Sequence, residues 1–151
     1  MTRRYIRKQE KATIAQRASF RCEYCLIPDT YSMQAFVNEH INPVSKGGVT
    51  ELINLAYACG GCNGHKHEQT EVEDIEIGES VPLFNPRKQK WKDHFEWSED
   101  KVQIIGLTAV GRVTVSTLKM NRVGLVNLRK LLLTINEHPP KLSRLVRLDN
   151  Q

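Results

Sequence analysis

The sequence predicts an α+β fold, with an N-terminal helix, short strands and one short helix in its first half and longer helices in its second. Three observations carry that expectation. Two CxxC pairs, Cys22/Cys25 and Cys59/Cys62, bracket a stretch punctuated by Pro43, Gly47 and Gly48. Apolar runs of strand length lie inside that stretch, around 34–37 and 52–58. Leu125, Leu128, Leu131, Leu132 and Ile135 recur at helical spacing, a pattern that most simply means core packing.

In chain order, Ile6 to Ala18 mixes good helix formers with spaced apolar positions and reads as a basic helix. Gln34 to Val37 reads as a short strand, with Asn42-Pro43 and Lys46-Gly47-Gly48 marking a turn and a loop. Leu52 to Ala58 is a second short apolar segment, and a polar helix is expected from near Cys59 past Lys66. The acidic stretch Glu68 to Glu79 reads as a solvated linker. VPLFNPRKQKWKDHFEW, a candidate strand at Lys101 to Ile105, and two helices follow. Thr108 and Asn121 are the expected N-caps of those helices. The organisation expected is a domain over 1–70 with its core at 20–67, then a linker and mainly helical extension over 71–151. No internal repeat or low-complexity segment is visible.

The chain has 151 residues, enough for one compact domain or a small core with appendages. Its 40% hydrophobic and 26% charged residues are ordinary for a soluble globular protein. A net charge of +5 and an isoelectric point near 9.1 tilt it toward polyanionic partners. No apolar run is long enough to span a bilayer, and the basic start MTRRYIRKQEK lacks the apolar segment of a signal peptide. The expected location is the cytoplasm, with no membrane contact.

In a reducing compartment, paired cysteines point to metal or redox chemistry rather than structural disulfides. Cys22, Cys25, Cys59 and Cys62 present two knuckles of two thiolates each, the donor set of a closed structural zinc site. Gly60 and Gly61 let the second knuckle curl. A redox reading is weaker, because neither pair lies in a βαβ context.

The string CEYC…FVNEHINPVSKGG…NLAYACGGCNGHK resembles the HNH endonuclease family, in its branch with a four-cysteine zinc. An acidic residue before His, Ile-x-Pro, a Gly-rich loop, Asn-Leu and CxxCNxxK all occur in order between Phe20 and Lys66. LFNPRKQKWKDHFEW and the helices after it look, more loosely, like the tail of a bacterial subgroup. The resemblance implies a ββα-metal core that hydrolyses phosphodiester bonds of DNA, or RNA. His40 would be the general base, a task suited to an imidazole near neutral pH. Glu39 and Asn63 would hold a catalytic divalent ion, Mg2+, Mn2+, Ni2+ or Zn2+, with His67 as a further ligand. Glu39 points away from His40 on an ideal strand. In the family a turn at the strand end lets both serve one site, and Asn42-Pro43 is consistent with that. Asn54 would bond backbone across the loop and hold His40 in place. Blander roles stand beside these: a solvated Glu-His pair, a loop asparagine at Asn54, a helix cap at Asn63.

Lys46, Lys66, Arg87 and Lys88 are candidate phosphate contacts, with the N-terminal Arg3, Arg4, Arg7 and Lys8 as a second cluster; any of these could be a solvated charge run. Two other functions fit parts of the pattern. One is a non-catalytic zinc-knuckle module that binds nucleic acid. The other is a nuclease subunit of a defence or toxin system that needs a partner.

Overall fold

A computed structural model describes residues 4–141. The basic helix α1 covers Lys8–Arg17, and its first turn is closed by Glu10, whose Oε2 accepts the Arg7 amide at 2.9 Å. Ile14 of α1 is fully buried and packs with Ile6 and Leu55.

The antiparallel pair at the centre is β1 (Val37–His40) with β2 (Leu55–Ala58), registered so that Glu39 faces Ala56 and His40 faces Leu55. β1 starts at Val37, later than the expected strand, so that Glu39 and His40 are themselves strand residues. The short helix α2 (Gly60–Lys66) follows β2 directly, and Cys59 caps it by accepting the Cys62 amide on its sulfur. These elements leave a long loop between β1 and β2. Gly48 closes it where a Cβ would fall 1.8 Å from the Asn42 carbonyl oxygen, a position only glycine can occupy.

The stretch expected as a linker is instead a hairpin of β3 (Glu71–Asp74) and β4 (Glu79–Pro82). Its acidity has a fixed purpose at one point, because buried Asp74 accepts from Arg112 at 2.8 Å. Beyond it come α3 (Trp91–His94), β5 (Phe95–Trp97), β6 (Ile104–Gly106), α4 (Ala109–Thr117) and α5 (Val123–Thr134). Thr108 caps α4, accepting the Gly111 amide at 3.1 Å. Asn121 does not cap α5: its side chain instead brackets Ile104, accepting its amide and donating to its carbonyl.

One hydrophobic cluster runs from the first knuckle through the tail, joining Cys22, Tyr24 and Cys59 to Phe84, Trp91, Phe95, Leu118 and Leu125. Trp91 is the hinge of that union. Its Nε1 donates to the Tyr24 carbonyl at 2.8 Å, and its ring lies 5.1 Å from Phe95 and 5.4 Å from Trp97. Truncating such a side chain costs about 3–5 kcal/mol. None of the described helices is long and apolar enough to cross a membrane.

Candidate active site and metal centre

The four cysteine sulfurs lie within 4.8 Å of one another, all buried. Cys25 Sγ and Cys59 Sγ are 3.7 Å apart, far beyond a disulfide bond. A zinc–sulfur distance of about 2.3 Å gives a tetrahedron with edges of about 3.8 Å, so this spacing fits a four-coordinate ion. Electrostatics agree. Burial pushes the Cys22 and Cys25 thiols well up, while hydrogen bonds from the other three cysteines pull Cys59 far down. Four buried sulfurs cannot all ionise without a cation among them.

A fifth residue reaches this centre from the tail. Arg122, just before α5, places its guanidinium 3.5 Å from Cys59 Sγ and 3.8 Å from Cys62 Sγ. It is steadied by the carbonyls of Leu118 and Lys119, each at 3.1 Å. Gly61 makes room for it, since a Cβ there would stand 2.3 Å from Arg122 Nη2.

Asn54 organises the loop after β1. Its Oδ1 accepts the Asn42 amide at 2.9 Å, and its Nδ2 donates to the carbonyls of Asn42 and Val49 at 2.9 and 2.8 Å. Its backbone carbonyl accepts the Ile41 amide at 2.9 Å, so the residue after His40 is pinned as well. The far end of the same loop supplies Thr50, a buried residue whose Oγ1 lies 2.8 Å from His40 Nε2. Strand, asparagine and threonine together set the plane of the imidazole.

Glu39 and His40 line one cavity of about 330 Å³ with Asn38, Asn63 and His67. Within it they are treated differently. His40 is half-buried, whereas Glu39 is 5% exposed and turned toward the protein. Tyr24 donates its hydroxyl to Glu39 Oε2 at 2.6 Å, and Lys66 Nζ lies 2.5 Å from Oε1. Burial raises the Glu39 pKa above its ordinary value, opposed by the Lys66 charge and by the contacts from Lys66 and Tyr24. Both oxygens already have partners, so a cation at Glu39 has to share the carboxylate. Asn63 sits mid-helix on α2, where Cys59 is the cap, so capping does not explain it. His67 ends α2 with φ +53°, its amide still donating to the Asn63 carbonyl, which leaves the imidazole exposed at the cavity rim.

Two candidate phosphate contacts are corrected by burial. Lys66 is 1% exposed and spends its ammonium on Glu39 and, at 3.0 Å, on the Ile41 carbonyl. Arg87 is enclosed with Glu23, its charge neutralised by that carboxylate. Lys46 and Lys88 are exposed, and Arg3 lies outside the described residues. Tyr24, Thr50 and Arg122 were not among the expected site residues. Tyr24 lies inside the recognisable string and Thr50 in the gap between its Gly-rich loop and Asn54, while Arg122 has no local signal at all.

The antiparallel pair, the helix behind it and the four-sulfur centre define a small ββα-metal domain within an α+β chain. The HNH endonuclease family model matches residues 22–69, and this segment is an HNH domain. No curated protein and no solved structure matches the chain.

Proposed function

We propose that the chain is a metal-dependent endonuclease that hydrolyses phosphodiester bonds of DNA, with His40 as general base and structural zinc on Cys22, Cys25, Cys59 and Cys62. One observation carries the reading: Glu39, His40, Asn63 and His67 wall a single cavity within the HNH segment. A carboxylate, an amide oxygen and an imidazole are donors suited to Mg2+, Mn2+, Ni2+ or Zn2+. The fit requires Glu39 to be shared. Its Oε1 is charge-paired with Lys66 but makes no hydrogen bond of good geometry, and a carboxylate has lone pairs for more than one partner. When bound, such an ion supplies positive charge against the charge that develops on phosphorus-bound oxygens.

His40 accepts a proton from the attacking water as the water oxygen bonds to phosphorus. The bond to the 3′ oxygen breaks and that oxygen takes a proton from solvent water, leaving 5′-phosphate and 3′-hydroxyl ends. Thr50 and Asn54 keep the imidazole in place through that transfer. The test is plasmid cleavage across the four ions. His40→Ala is expected to lower the rate by at least about 100-fold, with fold and zinc content unchanged. Cleavage at the wild-type rate by that variant would return the chain to a zinc-knuckle binding module.

A further inference from the structure

A second cavity, of about 520 Å³, lies against the start of β1 and is lined by Arg4, Tyr5, Lys11, Phe36, Val37 and Asn38. Val37 and Asn38 also line the cavity that holds His40, so the two are contiguous over β1. We propose that this second cavity is a subsite for the nucleic-acid strand beside the scissile phosphate, with Tyr5 stacking on an unpaired base. The proposal rests on the nuclease reading above and names its substrate class: a strand carrying an unpaired base next to the cut.

Tyr5 is 77% exposed, yet it does not sit on a loose end. Ile6, its neighbour, is buried against Ile14 and Leu55. On the other side Arg4 forks onto Glu10 at 2.7 and 3.0 Å. The ring is therefore presented to solvent on an anchored segment, with Lys11 Nζ over one of its faces, 5.1 Å from the centroid, so a base would stack on the opposite face. An accessible aromatic beside a lysine is the pairing that holds single strands: the ring takes a base face and the ammonium a phosphate. Arg7, Lys8 and Lys11 are all exposed here, and Glu10 is already matched by Arg4, so the rim is net positive.

Phe36 to His40 spans about 13 Å of extended backbone, so a strand lying along β1 passes from one cavity to the other. Asn38 and His40 are two residues apart and share one face of β1. Asn38 lines both cavities, and its Oδ1 is buried with no hydrogen-bond partner among the described residues.

The test compares the full chain with Tyr5→Ala and Tyr5→Phe, using fluorescence anisotropy of a single-stranded oligonucleotide and of its blunt duplex. Hydrolysis of bis(4-nitrophenyl) phosphate, a diester without bases, is followed in parallel. Tyr5→Ala is expected to weaken single-strand binding about tenfold, with Tyr5→Phe near wild type. Duplex binding and hydrolysis of the base-free diester should stay at the wild-type level. Unchanged single-strand affinity in Tyr5→Ala, or an equal loss on the duplex, would overturn the subsite. If wild type fails to hydrolyse the diester, the nuclease reading falls instead, and the binding comparison still decides the subsite.

Discussion

Lys66 Nζ lies 2.5 Å from Glu39 Oε1, with both side chains almost wholly enclosed. The pair joins α2 to β1 and gives Glu39 a resident cation. Removing one member leaves a buried charge uncompensated, which costs about 3–5 kcal/mol. Lys66→Ala is therefore expected to lose that much in denaturant unfolding. The double variant Lys66→Met/Glu39→Gln should recover more than half of it. Strictly additive losses would mean the two charges do not depend on each other.

Thr50 touches His40 and nothing in the fold argues that it must touch substrate. Thr50→Val keeps the shape and removes the hydroxyl. A drop of about 10–100-fold in kcat, the range for partners that orient a working imidazole, should come with KM little changed. Thr50→Ser should restore most of the rate. A KM effect alone would show that the hydroxyl contacts substrate instead.

Four thiolates around a divalent ion would carry two excess negative charges, and Arg122 would offset one of them. Hydrogen bonds to charged groups contribute about 1.5–3 kcal/mol. Arg122→Gln should thus release zinc to a chelator at least about tenfold faster, followed by a colorimetric zinc indicator. Gly61→Ala should show the same defect, because its Cβ displaces the guanidinium. Wild-type release from both variants would reduce Arg122 to a packing residue.

His138 is buried, with Nε2 2.6 Å from the Lys101 carbonyl and its ring edge-on to Trp97 at 4.5 Å. Burial lowers its pKa below the ordinary value, even though the Lys101 carbonyl favours the protonated ring. The unfolded chain takes up this proton near pH 6.5, the folded chain only at lower pH. The folded state binds fewer protons in that window, so this contribution is present above about pH 6.5 and is lost as pH falls toward the folded value. Between about pH 7.5 and about pH 5.5, urea midpoints of wild type should fall more than those of His138→Gln. Parallel curves would assign the acid sensitivity to other groups.

How far the site could be read in advance depended on how local its signals are. Each CxxC pair and the Glu39-His40, Asn54 and Asn63 string are short patterns, and residues that act near one another in sequence remain near in space. Lys66 belongs to the same string, but its burial depends on α2 closing over β1, which no local pattern shows. The hairpin 71–82 reads as a linker in sequence because charge dominates its composition. Its few inward groups, Val72, Asp74 and Val81, are too sparse to show a period of two. Arg122 was invisible for a different reason: no pattern links it to cysteines that lie so far back along the chain.

Gly61 and Arg122 also bear on what could be transplanted. A cassette cut at the edge of the recognisable motif would take the cysteines and leave behind the guanidinium that faces them. It would leave behind Trp91 too, and with it the cover over Tyr24, the residue that holds Glu39. A graft meant to carry this chemistry into another protein must therefore bring a stretch that no nuclease motif marks out.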